Sequence, residues 1–363
     1  MANTILTPSV VGREALMILE NNLVATGLFH RGHTTEFTGA KVGDTISVRA
    51  PASFTAQEYT SSISIQNATE TSVSLQLEKH FDVSFAVTSK EWTLSLEDFN
   101  SQLLQPAVAA IAQGLDNYVL GKVKGVETFV GTAGDPPDAL ADLLAVDKKL
   151  NDQKVPVAGR VAIINSQAKS DMLAIENVIS AEKRADGGSA LRDASLGKVL
   201  GIDWFMSQNV NQLTSESTGY LVNNASTSIG DKTLIIDTGS GNPVVGDRFT
   251  VAGDTTQYVL TAGTTTLLTF QPALVAAPAD NAAVTFIATH QMNVAGHPNG
   301  LTTAIVPLAL PRGASNAAYI GDRGLGLRIV FDYDNNAKQD VISIDVLAGA
   351  VVRHPELLTC VLG

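Results

Sequence analysis

The stretch from Ser95 to Gly125 carries the longest helical signal in the chain and constrains what the rest can fold into. Leu104, Val108, Ile111, Leu115, Tyr118 and Val119 recur at spacings of three and four, which puts them on one face that must be buried. Ser95 and Asp98 make a capping-box pattern at its start, the serine accepting from an early amide and the carboxylate favoured by the positive helix end. Pro106 has no amide hydrogen, so it kinks the helix or marks where its straight part begins. Gly125 and Gly131 end it. Such a helix runs about 40 Å, well beyond the usual length in a globular domain, and is a candidate spine for the other elements.

At 363 residues the chain can hold two compact domains and a well-buried core. Its 24 basic and 36 acidic side chains leave a net charge of −12, which argues against a general binder of nucleic acid or anionic membranes. Cys360 is the single cysteine, so neither an intramolecular disulfide nor a cysteine metal cluster can form, and a reducing compartment fits. The polar start Met1-Ala2-Asn3-Thr4 lacks a basic-then-apolar leader, and no apolar run approaches the ~18 residues of a membrane span. The expectation is a protein neither exported nor membrane-spanning. An apolar fraction of 45% implies either a generous core or large self-interfaces.

Taken in order, Thr7-Pro8-Ser9 reads as a helix entry, followed by the apolar stripe Leu16, Leu19 and Leu23. From Thr45 to Thr88 the period falls to two, through Ile46 and Val48, Ile63 and Ile65, Val73, Leu75 and Leu77, then Phe81, Val83, Phe85 and Val87. This is a long hairpin whose middle, from Pro51 to Asn67, is rich in Ser and Thr and carries one charge, Glu58. A two-stranded ribbon is marginal by itself, so it should lie on something else, including a neighbouring subunit. Phe54, Tyr59, Ile63 and Ile65 are its candidate contact residues. Leu140, Leu143, Leu144 and Leu150 mark a second helix, Val161 to Ile164 a buried strand, and Ser166 to Asn177 a third helix. Ala181 to Gly197 lacks an apolar period and reads as a mobile loop; order resumes from Gly201 to Trp204. Composition then shifts at Leu213. As far as His290, Thr and Gly dominate and short alternating runs appear at Thr233–Ile236, Arg248–Val251, Tyr258–Leu260, Thr266–Phe270 and Val284–Ile287, which describes a small all-β domain inserted in its parent. Gly326 to Phe331 and Val341 to Val346 follow as an antiparallel pair joined by a turn at Asp332–Asn336.

Most chemical motifs fail on their own requirements. Leu234-Ile235-Ile236-Asp237-Thr238-Gly239-Ser240 has the form of an aspartic protease loop, but that chemistry needs two carboxylates sharing a proton and only one such triplet exists; the alternative is a β-turn in a threonine-rich hairpin. Asp332-x-Asp334-x-Asn336 begins like a calcium loop, yet Ala337 and Ser343 stand where glycine and a bidentate glutamate are needed. His30-Arg31-Gly32-His33 with Glu36 has ligand types without a helix to present them, and reads as a surface turn. Gly321 to Gly326 is glycine-rich without the phosphate-loop lysine and reads as a flexible loop. Cys360 has no suitable histidine partner, and no catalytic site, metal site or cofactor is expected.

The opening Met1-Ala2-Asn3-Thr4-Ile5-Leu6-Thr7-Pro8 with Arg13-Glu14-Ala15-Leu16, then Gly43-Asp44-Thr45-Ile46, Ser95-Leu96-Glu97-Asp98-Phe99, Leu104-Gln105-Pro106-Ala107, Ile164-Asn165-Ser166-Gln167-Ala168-Lys169, Ser207-Gln208-Asn209 and Asp345-Val346-Leu347-Ala348-Gly349 form an ordered pattern over nearly the whole chain. This pattern resembles the major capsid (coat) proteins of tailed bacteriophages, in particular the P-22-like coat proteins with an insertion domain. The resemblance implies an α+β Hong Kong 97-like capsid fold. It divides the chain into an N-terminal arm (1–44), an extended β-hairpin loop (45–94), a peripheral domain with the spine helix (95–150), an axial domain in two parts (151–212 and 291–334), an inserted β domain (213–290) and C-terminal strands returning to the peripheral domain (335–363).

The implied function is self-assembly, through procapsids, into an icosahedral shell that encloses double-stranded DNA without sequence-specific binding. The implied partners are further copies in pentamers and hexamers, a separate scaffolding protein, since the hairpin is reached by Thr45, and a portal protein; no membrane is involved. The implied location is the virion capsid, assembled in the host bacterial cytoplasm. No lysine lies between Ala50 and Glu78, so crosslinking of subunits through a hairpin lysine is not expected. The alternatives are another phage structural protein, of decoration or tail type, and the protease through Asp237-Thr238-Gly239.

Overall fold

The computed structural model describes residues 8–32, 45–49, 56, 58, 65, 72–88, 100–184, 189–223, 227–311, 316–322 and 324–363. The Ser95–Asp98 capping pattern lies outside them. Helical and extended segments are mixed in an α+β arrangement, and the chain divides into two compact units.

The first unit comprises residues 1–22, 31–112 and 302–353. Its axis is the 14-residue strand Gln339–Val352. Ile342, Ile344 and Val346 are fully buried and alternate with Ser343 and Asp345, so over these five residues one face is apolar and the other polar, while Leu347 beyond them is buried on the second face. Lys79–Thr88 runs antiparallel along one edge with Phe85 opposite Ile342, Val83 opposite Ile344 and Phe81 opposite Val346. Apolar residues on both strands therefore share a face. Leu325–Asp334 pairs along the other edge, and Asn316–Asp322 beyond it. The helix Pro8–Asn22 packs on these last two strands. Gly12 permits the approach: a Cβ there would lie 2.2 Å from Cδ1 of Ile320.

Three sequence expectations are corrected in this unit. The turn expected at Asp332–Asn336 sits at residues 335–338, because pairing continues through Tyr333 with Asp340 and Asp334 with Gln339. The glycine-rich segment expected to be a flexible loop is the end of a hairpin, with Gly321 opposite Gly326, Asp322 opposite Leu325 and Gly324 at φ +77. His30–Arg31, expected as a surface turn, is a short edge strand.

The second unit comprises residues 23–30, 113–301 and 354–363. Its sheet has the order Phe129–Val130, Leu358–Val361, Asn293–Gly296, Val161–Ile164, Ile202–Met206, Gly197–Val199. Val161–Ile164 is buried throughout. One face packs under the helices Leu140–Asp152 and Ser166–Ala174, where Leu143, Val146, Leu150, Ala168 and Met172 meet Ile164, Ile202 and Trp204. Leu144 is 49% exposed, and Val146 takes the core position expected of it. The third helix stops at Ala174 rather than Asn177: Ile175 turns extended at ψ 119 to place its side chain in the core, and a separate turn, Glu176–Ile179, follows. The expected mobile loop contains short helical turns at Ala181–Arg184 and Ser189–Asp193, anchored by the buried Ala190 and Leu196.

The spine helix runs from Gln105 to Gly121, entered through a π-helical turn at Asn100–Leu104 and left through a 3-10 turn at Lys122–Gly125. Pro106 stands where the π-helical turn passes into the α-helix, and its missing amide hydrogen interrupts the regular bonding at that junction. Leu104, Val108, Ile111, Leu115 and Val119 are each at most 4% exposed; Tyr118 is half-buried.

Between Ile202–Met206 and Asn293–Gly296 the chain leaves the sheet and forms a closed barrel. Around the barrel the strands are Tyr220–Val222, Thr233–Asp237, Leu267–Gln271, Tyr258–Gly263, Arg248–Val251 and Ala283–Phe286, all pairs antiparallel. Just below it Gln212–Leu213 pairs with His290–Gln291, so the outgoing and returning chains are stapled together. The barrel has its own core, in which Phe249 stands 5.6 Å from Tyr258, 5.4 Å from Phe270 and 5.4 Å from Phe286 between ring centroids.

Candidate assembly surfaces

The hairpin root and the closed barrel are both separate from the two six-stranded sheets. The hairpin is rooted where Thr45–Arg49 pairs with Ser72–Gln76, Thr45 opposite Gln76 and Arg49 opposite Ser72. Val48, Leu75 and Leu77 are buried there against Ala304, Val306 and Leu347. Gly349 lets the root sit close, since a Cβ would stand 2.4 Å from the carbonyl oxygen of Gln76. Of the expected contact residues, Phe54, Tyr59 and Ile63 lie outside the described residues. Ile65 is 88% exposed.

The barrel is held to its parent by polar contacts. Arg248 is fully buried and points out of the barrel: Nη2 donates to the carbonyl oxygens of Val123 at 3.2 Å and Val126 at 3.4 Å, and Nη1 lies 3.3 Å from Nε2 of His290. Nδ1 of His290 is 2.7 Å from the Ala288 carbonyl oxygen, so it carries the proton and leaves Nε2 to accept from Arg248. Burial holds the His290 imidazole below its ordinary pKa, and the adjacent guanidinium pushes the same way. Desolvation conversely raises the neighbouring Asp247 carboxyl, although its Oδ2 accepts from the Val244 amide at 2.8 Å. A second clamp lies at Gln257, whose Oε1 accepts from the Phe129 amide at 3.0 Å while Nε2 donates to the Phe129 carbonyl at 3.1 Å. One side-chain amide thus pairs with a strand edge as a backbone would. Lys149 Nζ donates to the same Oε1 at 3.1 Å.

Asp116, a single carboxylate on the spine, was invisible to sequence reasoning. It is 1% exposed and accepts from the amides of Val24 at 2.7 Å, Ala25 at 3.2 Å and Thr26 at 2.9 Å, and from the Thr26 hydroxyl at 2.8 Å. Four donors replace the water that a buried carboxylate loses. The segment following the N-terminal helix is thereby fixed to the spine; a lone aspartate in an amphipathic pattern otherwise reads as part of the solvent face.

The protease-like triplet has a structural explanation. Thr238 has φ 58 and the Gly239 amide donates back to the Asp237 carbonyl at 2.8 Å, which makes a three-residue turn. A Cβ on Gly239 would lie 2.2 Å from the ring of Tyr220, so glycine is demanded by the barrel core. The Asp237 carboxylate faces its own neighbour's hydroxyl, with Thr238 Oγ1 at 3.3 Å. Among the described residues, no group of three or more His, Cys, Asp or Glu side chains is placed to hold a metal ion. Cys360 lies fully buried in the Leu358–Val361 strand, where desolvation raises its thiol pKa.

No family model matches the sequence, and no curated protein does. Among solved structures, a chain of Mycobacterium phage Che8 is similar over 93% of this chain and 90% of that one, at 15% identity and a TM-score of 0.55. A chain in the capsid structure of cyanophage P-SCSP1u and one in the mature capsid of bacteriophage PhiM1 each cover 88% of this chain and 83% of their own, at 11% identity and a TM-score of 0.48. With a spine helix, a rooted hairpin, two sheets and a barrel between two strands of one of them, the chain has the α+β Hong Kong 97-like capsid fold with an inserted all-β domain.

Proposed function

We propose that this chain is the major capsid protein of a tailed phage and self-assembles into the icosahedral shell that encloses its double-stranded DNA. The observation that carries this reading is a fold shared with the Che8 phage chain over nine tenths of both chains, on a sequence whose ordered motifs resemble phage coat proteins. The hairpin supports it, because a ribbon rooted by two five-residue strands requires a surface to lie on.

In this reading residues 45–94 are the extended loop, reaching a neighbour through Phe54, Tyr59, Ile63 and Ile65. Residues 1–44 are the N-terminal arm, 95–150 the peripheral domain, 151–212 and 291–334 the axial domain, 213–290 the inserted domain and 335–363 the returning strands. Copies join as pentamers and hexamers, with a separate scaffolding protein and a portal as partners. The chain is not an enzyme. It assembles in the bacterial cytoplasm and ends in the virion.

Assembly has to be reversible until the geometry is right, so single contacts are weak, on the order of 4 kcal/mol, and closure adds strength through multivalency. A net charge of −12 suits a container that encloses DNA without gripping it. The test is negative-stain electron microscopy of the overexpressed chain, alone and with adjacent phage genes. Closed shells or aberrant spirals are expected; rings or tubes would indicate a tail component, and a dispersed monomer under all conditions would overturn the proposal.

A further inference from the structure

Asp116 and Asp247 are both buried carboxyls, and their surroundings differ. Asp116 accepts from three amides and a hydroxyl. Asp247 is 0% exposed and accepts from one backbone amide, that of Val244 on Oδ2, while its Oδ1 has no partner. The residue closes the turn Val244–Asp247, and Gly246 in that turn lies against the parent: a Cβ there would stand 2.8 Å from Cβ of Lys124. Facing the carboxyl is Ser215, whose hydroxyl is also unpartnered. Ser215 belongs to the outgoing chain just beyond the Gln212–Leu213 staple. Its amide donates to Oγ1 of Thr289 on the returning chain at 3.2 Å, and its carbonyl accepts from that hydroxyl at 3.4 Å. Asp247 therefore stands at the barrel's mount, where a barrel turn meets both the neck and the parent.

We propose that Asp247 enters the folded mount as a neutral carboxylic acid, its proton directed from Oδ1 to the Ser215 hydroxyl, so that loss of this proton loosens the barrel from its parent. A carboxylate taken out of water needs donors in place of the lost water, and Asp116 has them where Asp247 does not. An acid needs only an acceptor for its proton, which a serine hydroxyl supplies, and the two unpartnered groups then satisfy each other. Three further charged or titratable side chains bear on the site. Lys124 and Arg248 favour the carboxylate but act on it only at a distance, and Arg248 is directed instead to the carbonyls of Val123 and Val126 and to His290. His290, whose pKa burial and Arg248 hold down, adds no charge at neutral pH. Burial outweighs both cations, so the Asp247 carboxyl lies above its ordinary pKa. The folded state thus binds this proton more tightly than the unfolded state does, and the mount weakens as pH rises from about 3.9 through the folded pKa. Its response to pH is opposite to that of His290.

The experiment compares the full unassembled chain with Asp247→Asn, which keeps the shape of the neutral acid and cannot ionise. The advantage of the variant in thermal unfolding should grow with pH, from near zero at about pH 4 to about 2 °C or more in Tm at about pH 8. A difference that stays constant with pH, or that turns against the variant as pH rises, would overturn the proposal. Should the variant fail to fold, carbon-13 NMR of the wild-type aspartate carboxyls decides instead: an Asp247 signal that titrates above about 3.9 is expected, and one that titrates at or below it would overturn the proposal. In the same spectra Ser215→Ala should move the titration to lower pH, because the acid loses its acceptor. No movement, or movement to higher pH, would overturn the bridge, the latter by showing that the hydroxyl donates to a carboxylate. The capsid reading is independent of every one of these results.

Discussion

The barrel and the hairpin root are both β-structure outside the two six-stranded sheets, but they are stabilised in opposite ways. The barrel closes on itself, pairs every strand with two others, and buries a cluster of five aromatic rings that belongs to it alone. The hairpin root has only two strands, and the residues that bury it, Ala304, Val306 and Leu347, come from the sheet beneath. One element therefore owns its stability and the other borrows it. For the proposed shell subunit the distinction matters: the closed barrel carries its own core, whereas the hairpin root depends on the sheet beneath it.

Replacing Phe249 by Ala should test the barrel's independence most severely. It removes the ring that contacts three others and costs about 3–5 kcal/mol. Hydrogen exchange should show the loss confined to residues 220–286, with the amides of Gln339–Val352 still protected; collapse of both together would end the comparison. Leu75→Ala at the hairpin root should cost about 2–5 kcal/mol and have the converse signature, exposing 45–49 and 72–76 while the barrel keeps its protection. Asp116→Ala orphans three amides and a hydroxyl, and should cost about 1–3 kcal/mol in thermal or denaturant unfolding, with little change at either element.

A pH series sharpens the contrast at the barrel mount. His290 has a folded pKa below its unfolded value, so the unfolded state takes up the proton first and stability falls as pH drops below about 6.5. Asp247 has a raised pKa and works in the opposite sense: acidification from its folded pKa towards about 3.9 favours the folded state. Loosening on mild acidification should therefore appear first near residues 123–126 and 248, and His290→Gln should abolish it; an unchanged profile in that variant would assign the acid sensitivity elsewhere. The smallest effect on the isolated chain is expected from Ile65→Ser, within about 0.5 kcal/mol in stability, because the side chain is 88% exposed. In the proposed shell the same change should lower yield.

Elements with a strong period were legible in the sequence. Arg248–Val251 occupies the expected residues, and the other four barrel runs shift by at most three residues at either end. Alternation and threonine-rich turns act locally, so a single sequence displays them. The sixth strand, Tyr220–Val222, escaped because three residues carry no measurable period. What closes the barrel is also non-local. Gly239 is required by Tyr220 nineteen positions away, and Gln257 by the backbone of Phe129, and neither signal is present in the neighbouring residues. The polar mounts at Arg248 and Asp116 were hidden for the same reason: an isolated charge reads as a solvated side chain until the fold places carbonyls or amides around it. The break at Ile175 shows tertiary packing overriding a helical pattern that continued to Asn177.

The central claim is that this fold builds a shell, and electron microscopy of the purified chain co-expressed with a scaffolding candidate tests it most directly. Closed icosahedral particles are the predicted result. A population that remains monomeric with scaffold present, while folded by hydrogen exchange, would contradict it.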